Sequence, residues 1–369
     1  MNTLNTLYNA RREMARGMMK KAGVSALVLS PSSDLYYLSG CRFHLSERLA
    51  ALVLTGEGAF LVYPRFEENY VSEDLRSHAE CIPWDDGEDP FRIVTGLLPP
   101  GGGLCAAASS MPASFLLRLQ KNAERFSLSW LDAVSVMKPL RMHKDETEYA
   151  LLKEAQERAG EALRDLYSWG LEKKSEEAVA GKLTALLREK GLERADWGPI
   201  VASGPNGASP HHSVSERIIQ RGDPVVIDFG GVWQGYQADM TRSPAAGKAS
   251  QEYREVYEVV LAANEAAFKA ALPGAACEDV DAAARELIAK AGYGRYFNHR
   301  LGHGIGLDIH EDPYMAAGNK SPLAPGMAFS DEPGIYLPGK FGIRTEDILF
   351  MGKNGAERLT SFPHGLQEI

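Results

Sequence analysis

Cysteine is scarce and scattered in this chain. Cys41, Cys81, Cys105 and Cys277 stand far apart without CxxC spacing, which excludes a disulfide framework and a thiolate metal site and fits a reducing, cytoplasmic setting. An excess of basic residues is also lacking: 40 Lys and Arg face 49 Asp and Glu, for a formal net charge of −9. With no Lys/Arg-rich run and no basic stripe interleaved with aromatics, nucleic acid is not an expected partner. Long apolar runs are missing as well. The opening stretch spaces Leu4, Leu7, Met14 and Met18 like one face of a helix, and it has the pattern of neither a signal peptide nor a membrane span. What remains is a chain of 369 residues, 44% hydrophobic and 24% charged, the composition of a globular protein with room for two domains.

Two regions differ in character. From Val24 onward, "VSALVLSP", "LAALVLTGEGAFLVYP" and "LCAAAS" read as strands, with a hairpin around Thr55-Gly56-Glu57-Gly58. Helical segments are expected near residues 67–77 and 113–123, giving a mixed α/β domain over residues 1–137. A linker is placed at about residues 137–144. Beyond it, Asp145 or Thr147 can start a long amphipathic helix that buries Leu151, Leu152, Ala155, Ala159, Leu163 and Leu166. Further helices fit residues 175–190, 251–272 and 278–291, and strand-like pieces ending in acids or histidines separate them. The chemistry is therefore expected in the second domain, residues 138–369.

The stretch "VVIDFGGVWQGYQADMTR" carries two acids, Asp228 and Asp239, on a hairpin through Gly230, Gly231 and Gly235. A second hairpin of the same form, "AFSDEPGIYLPGKFGIRTEDILF", carries Glu332 before Pro333-Gly334 and Glu346 on the return. In "LGHGIGLDIHEDP", His303 sits among glycines that permit close backbone approach, and His310 follows seven residues later. Each piece alone has an ordinary explanation: a turn-forming Asp, a core histidine, or a Glu346 paired with Arg344. Together, four carboxylates and an imidazole gather more negative charge than hydrogen bonds hold. Two divalent cations would balance the four carboxylates, and a donor set rich in oxygen with one nitrogen suits Mn²⁺, Co²⁺, Fe²⁺ or Zn²⁺ in five- or six-coordinate geometry.

The segments "IDFG", "ADMTR", "GHGIGLDIHE", "EPGIY" and "RTED" occur in the order and spacing of the methionine aminopeptidase/prolidase group of metallopeptidases. Over about residues 140–365 the chain resembles that group, which has the pita-bread fold. The resemblance implies an α/β (α+β) protein, with a curved antiparallel sheet in a C-terminal pita-bread domain and a smaller creatinase-like N-terminal domain before it. The long N-terminal region and "SGPNGASPHH" followed by "IHEDP" resemble the branch that cleaves bonds involving proline. Carried over by position, Asp228 would bind one metal, Asp239 and Glu346 would bridge two, and His303 and Glu332 would complete the second, with Mn²⁺ named first. Thr241 resembles the threonine that hydrogen-bonds beside the metal pair. His211 matches the histidine that assists proton transfer, with His212 adjacent, and His310 matches the one at the scissile carbonyl.

The implied activity is hydrolysis of Xaa-Pro bonds in dipeptides, a prolidase. The alternatives are an aminopeptidase P acting on longer peptides, a metal-free creatinase-like hydrolase, and a non-catalytic peptide-binding pita-bread protein. The implied partners are proline-containing dipeptides or short peptides and a second copy of the chain in a homodimer. Two departures stand out: Ser330 and Asp331 replace a Thr and an aliphatic residue before Glu332, and Tyr314 stands where some members have a basic residue. Strand alternation is expected to point Asp331 away from the metals. Without a basic residue at 314, the candidates for the substrate carboxylate are Arg344, Arg42 and above all Arg48, which would close the site from the N-terminal domain of its own or a partner subunit.

Overall fold

The structure, a computed structural model, describes residues 3–195 and 197–369. It divides into two compact units, Met1–Arg141 and Met142–Ile369. The first is built on a six-stranded mixed sheet. Its order is Glu80–Trp84, Ala59–Pro64, Ala51–Thr55, Val24–Leu29, Gly103–Ala107 and Leu128–Asp132. Ala51–Thr55 is antiparallel to both its neighbours, while the outer pairings are parallel. Val24–Leu29 and Ala51–Thr55 are nearly unbroken apolar runs with buried side chains, as strands covered on both faces must be. The edge strands Glu80–Trp84 and Leu128–Asp132 lack that apolar signature and were not expected.

The helical spacing at the start of the chain corresponds to the helix Thr3–Ala22. Arg11, Arg12, Ala15 and Met19 are inside, whereas Met14 is 49% exposed; the side chain of Leu4 lies outside the described residues. The reason is a buried ion pair, Arg12 Nη1 to Asp74 Oδ2 at 2.6 Å, with a further bond from the same nitrogen to the Leu38 carbonyl. A guanidinium satisfied in this way can occupy a core position that a hydrophobic pattern assigns to leucine or methionine. The single helix expected over residues 67–77 is two pieces, a 3₁₀ turn Arg65–Tyr70 and an α-helix Glu73–His78, because the Ser72 side chain caps the second at Leu75 N. The segment placed as a linker is helical as far as Met142, in Val134–Met142.

In the second unit each α-helix among the described residues begins at a side-chain cap or an acidic first turn. Asp145 and Glu148 form a reciprocal capping box for Glu146–Trp169, and Ser175 caps Glu176–Glu189. These two helices press Ala159, Leu163, Leu166, Val179 and Leu183 against Ile227, Phe229, Ala238 and Met240 of the three-stranded sheet Ile200–Ser203, Val225–Trp233 and Tyr236–Arg242. A second pair, Gln251–Ala270 and Cys277–Lys290, packs Val256, Val260, Val280 and Ile288 on Phe329, Ile343 and Leu349. The remaining strands pair antiparallel in a five-stranded sheet, ordered Glu311–Met315, Gly302–Gly304, Ala328–Asp331, Asp347–Met351 and Ala356–Arg358, and in the ribbon Gly334–Leu337 with Phe341–Arg344.

Two details of the expected hairpins change. Gly230 and Gly231 lie within the first strand, and the turn is the two-residue Gln234-Gly235, with φ 49° and 97°, the left-handed pair that a tight hairpin of this twist requires. The second hairpin is interrupted. Ala328–Asp331 pairs with Asp347–Met351 and Gly334–Leu337 with Phe341–Arg344 in separate sheets, so Glu332 and Glu346 stand at the corners between strands. Pro333, which cannot donate to a ladder, marks one corner.

Candidate active site

Asp228 faces Thr241 across the first hairpin and Asp239 faces Gly230, so Asp228, Asp239 and Thr241 share one face of the sheet, the two acids diagonal to each other. The opposite face is the one the helices cover. On the other sheet the strand Gly302–Gly304 brings His303 in beside them. A Cβ on Gly302 would stand 1.9 Å from the Ser330 carbonyl oxygen, so this strand seats against Ala328–Asp331 only because residue 302 is glycine. The corner residues Glu332 and Glu346 complete the group. Asp239, His303 and Glu346 offer ligand atoms that all lie within 4.8 Å of one another, and His303 Nε2 is 3.6 Å from Asp239 Oδ2 and 3.3 Å from Glu332 Oε1.

The tautomer of His303 follows from its other nitrogen. Nδ1 lies 3.0 Å from the Gly304 carbonyl oxygen, which can only accept, so Nδ1 carries the proton and Nε2 presents a lone pair to the acids. Burial holds the imidazole neutral, lowering its pKa to about 4. The acids move the other way. Burial first, and then their mutual repulsion, raises Asp239 and Glu346 well above the usual carboxylate range, and burial raises Glu332. Four carboxylates and one neutral imidazole aimed at a common space, three of the acids crowded enough to bind protons more tightly than usual, fit divalent metal ions.

Hydroxyls and one arginine orient these groups. The Thr241 hydroxyl donates to Glu346 Oε2 at 2.6 Å and accepts from Arg344 Nε at 3.0 Å. Arg344 Nη1 donates to the Tyr336 hydroxyl at 2.8 Å, and Nη2 donates to Asp228. The Ser330 hydroxyl accepts from His303 N at 2.9 Å and donates to Glu332 Oε1 at 3.0 Å; serine supplies here the hydroxyl that threonine would. Asp331 is fully buried and does not line the cavity, and its carboxyl oxygens have no hydrogen-bond partner among the described residues. It lies directly across the ladder from Asp347, which Arg242 and His364 hold.

The acids open into a cavity of about 680 Å³, also lined by His211, His299, Arg300, His303, His310, Trp197 and Ile309. His310 stands edge-on to His303 with ring centroids 4.3 Å apart. His211 reaches the cavity, while His212 turns away to donate from Nε2 to Glu176 Oε2 at 2.8 Å. Of the residues considered for the substrate carboxylate, Arg344 lines the cavity but Tyr314 does not. Arg48 lies in the first unit, with its guanidinium spread over both oxygens of Asp86 and bonded to Glu47. His299, which the sequence reading passed over, donates from Nδ1 to the Arg300 carbonyl at 2.7 Å, so its Nε2 accepts from the Tyr336 hydroxyl at 3.0 Å. Its only signal in the sequence is a position four residues before His303.

Comparison with known proteins identifies the family. The model of metallopeptidase family M24 matches residues 150–353, and that of the creatinase/prolidase N-terminal domain matches residues 11–143. The chain is 39% identical over 98% of its length to a probable dipeptidase PepE of Mycobacterium tuberculosis, 96% of which is covered. It is 35% identical over 93% of its length to an Xaa-Pro dipeptidase of Pyrococcus horikoshii, 94% of which is covered. Among solved structures, recombinant prolidase from Thermococcus sibiricus superposes with a TM-score of 0.92 at 36% identity, over 98% of this chain and 99% of that one. With acids, histidines and both domains in place, the chain belongs to metallopeptidase family M24 and carries the family's creatinase/prolidase N-terminal domain.

Proposed function

We propose that the protein is an Xaa-Pro dipeptidase that holds two divalent cations between Asp228, Asp239, His303, Glu332 and Glu346. The observation that carries this reading is the convergence of those five side chains on one cavity that also contains His211 and His310, two histidines that a purely structural metal site would not require. The relatives named above add the substrate class. Two bound cations would supply an acidified water and polarise the scissile carbonyl. Glu332, with its proton affinity raised by burial, accepts the proton of the attacking water. His310 and His211 stabilise the oxyanion and pass the proton taken up by Glu332 on to the proline nitrogen as the bond breaks. Thr241 fixes the Glu346 carboxylate, and Arg344 fixes both Thr241 and Asp228.

Manganese is the proposed metal, since the set has four carboxylates and one imidazole and lacks thiolates. The N-terminal domain, residues 1–137 in this proposal, serves in substrate gating and in a homodimer. The proposed compartment is the cytoplasm; no helix among the described residues is long and apolar enough to cross a membrane. The test compares hydrolysis of Ala-Pro with that of Ala-Pro-Ala by protein stripped of metal and reloaded with Mn²⁺. A ratio well above one is expected. A ratio well below one would make the protein an aminopeptidase P, and activity that survives chelation would place it with metal-free hydrolases.

A further inference from the structure

The dipeptidase reading raises a question that the metal-type residues do not answer. An Xaa-Pro dipeptide carries a free carboxylate one residue from the bond that breaks, and a carboxylate leaving water requires a cation or several donors. Among the residues lining the cavity, two arginines offer a permanent positive charge, Arg344 and Arg300.

Arg344 is already committed. It is buried, and each of its three nitrogens has a partner: Thr241 Oγ1, the Tyr336 hydroxyl and Asp228. Taking a substrate carboxylate would require it to release one of them. Arg300 is placed differently. It is exposed and is among the residues that line the cavity, its guanidinium carbon sits 4.3 Å from the centroid of the Tyr314 ring, and no ion pair engages it among the described residues. The ring presents a flat face that orients the planar fork without consuming its N–H donors. The backbone beneath is held firmly. Arg285 donates to the Phe297 and His299 carbonyls at 3.0 and 2.8 Å, and His299 Nδ1 donates to the Arg300 carbonyl. A guanidinium with free donors, stacked on a ring, carried on a pinned segment and three residues from His303, is what recognition of a small anion next to the reaction centre calls for.

We propose that Arg300, stacked on Tyr314, binds the free proline carboxylate of the substrate and thereby sets a preference for dipeptides; the proposal rests on the dipeptidase reading. The bond is made equally in the ground state and the transition state, so its loss appears in KM rather than in kcat.

The test measures kcat and KM for Ala-Pro, Ala-Pro-amide and Ala-Pro-Ala with Mn²⁺-loaded wild type, Arg300→Met and Arg300→Lys. A charge-assisted bond of this kind is worth a factor of about 10 to 10². Arg300→Met is expected to raise KM for Ala-Pro by that factor, with kcat within about threefold, and to leave the amide and the tripeptide nearly unchanged. Arg300→Lys is expected to recover part of the loss. Equal losses on Ala-Pro and Ala-Pro-amide, or no loss on Ala-Pro, would overturn the proposal while the wild-type enzyme still cleaved dipeptides. A wild type that preferred Ala-Pro-Ala would instead overturn the dipeptidase reading, and this proposal with it.

Discussion

Glu176 offers a test in which the magnitude can be worked from the structure. It is the first residue of the helix Glu176–Glu189, and its carboxylate is fully buried. Six donors converge on it. Oε1 accepts from Ser203 N at 2.7 Å, the Ser203 hydroxyl at 2.8 Å and Asn206 Nδ2 at 3.0 Å, while Oε2 accepts from His212 Nε2 at 2.8 Å, Ser215 N at 3.2 Å and the Ser215 hydroxyl at 2.6 Å. The loop that carries His211 is thus folded around one charge. Burial alone would raise the pKa, but the bonds from Ser215, Ser203, Asn206 and His212 outweigh it and bring the group from 4.5 down to about 2. That depression corresponds to about 3 kcal/mol of native-state stabilisation. Glu176→Gln removes the charge, and whichever way the amide turns, its NH₂ meets a backbone N–H, of Ser203 on one side or Ser215 on the other. Amide hydrogen exchange across residues 203–215 should therefore run about 10²-fold faster in the variant at pH 7. Because the folded pKa is the depressed one, the stabilisation is complete above about pH 4.5 and lost as pH falls through about 2. Near pH 3 the gap between wild type and variant should have closed by about half. An exchange ratio near one at pH 7, or a ratio unchanged at pH 3, would refute the assignment of that charge as the organiser of the loop.

Other expectations follow from the same geometry. His310→Ala should retain its metal by elemental analysis while losing activity by about 10²-fold or more, the usual loss for a positioned acid–base histidine; full turnover would remove His310 from the chemistry. Stripping metal from the wild type should lower its thermal midpoint by about 10 °C, since a ligand held at about 10³ times its Kd contributes about 4 kcal/mol. An unshifted midpoint would mean that the buried acids are compensated otherwise. Gly302→Ala should cost about 3 kcal/mol by driving a Cβ into the Ser330 carbonyl, and it should weaken metal binding because His303 moves with its strand. Calorimetric titration of Mn²⁺ into the folded variant checks the second effect.

The secondary structure of the second unit was legible because its helices carry strong signals at both levels. The capping box of Asp145 and Glu148 and the caps at Ser175 and Ser250 stand at the starts of amphipathic runs, and all three sites begin helices. The first unit was less legible at its edges. Leu128–Asp132 and Glu80–Trp84 pair on one side only and are partly exposed, so neither the apolar run of a central strand nor clean alternation marks them. The buried face of the N-terminal helix was not legible for a different reason. Its buried face is fixed by the partner of Arg12, Asp74, which lies 62 residues away, and no local periodicity contains that information.

The site divides along a similar line. The acids and His303 were legible because their cost is local. A carboxylate after "VVI", or a glutamate before Pro-Gly at the end of a buried strand, conflicts with its surroundings wherever it stands, and the conflict asks for a cation. One buried guanidinium among four carboxylates in the cavity leaves most of that charge uncompensated, which is why the fold alone does not explain their presence. Arg300, His299 and Glu176 give no such warning. An arginine before a glycine-rich segment, a histidine four residues earlier than another and a glutamate in the first turn of a helix are each ordinary, and the third is favourable there. Their roles come from what the tertiary fold brings against them: the Tyr314 ring under Arg300, the Tyr336 hydroxyl on His299, and six donors around Glu176. Residues that would bind metal declare themselves by being out of place, whereas residues that would recognise and orient a peptide are identified only by their neighbours. The preference between dipeptide and longer peptide therefore has to be read from the cavity wall rather than from the motifs.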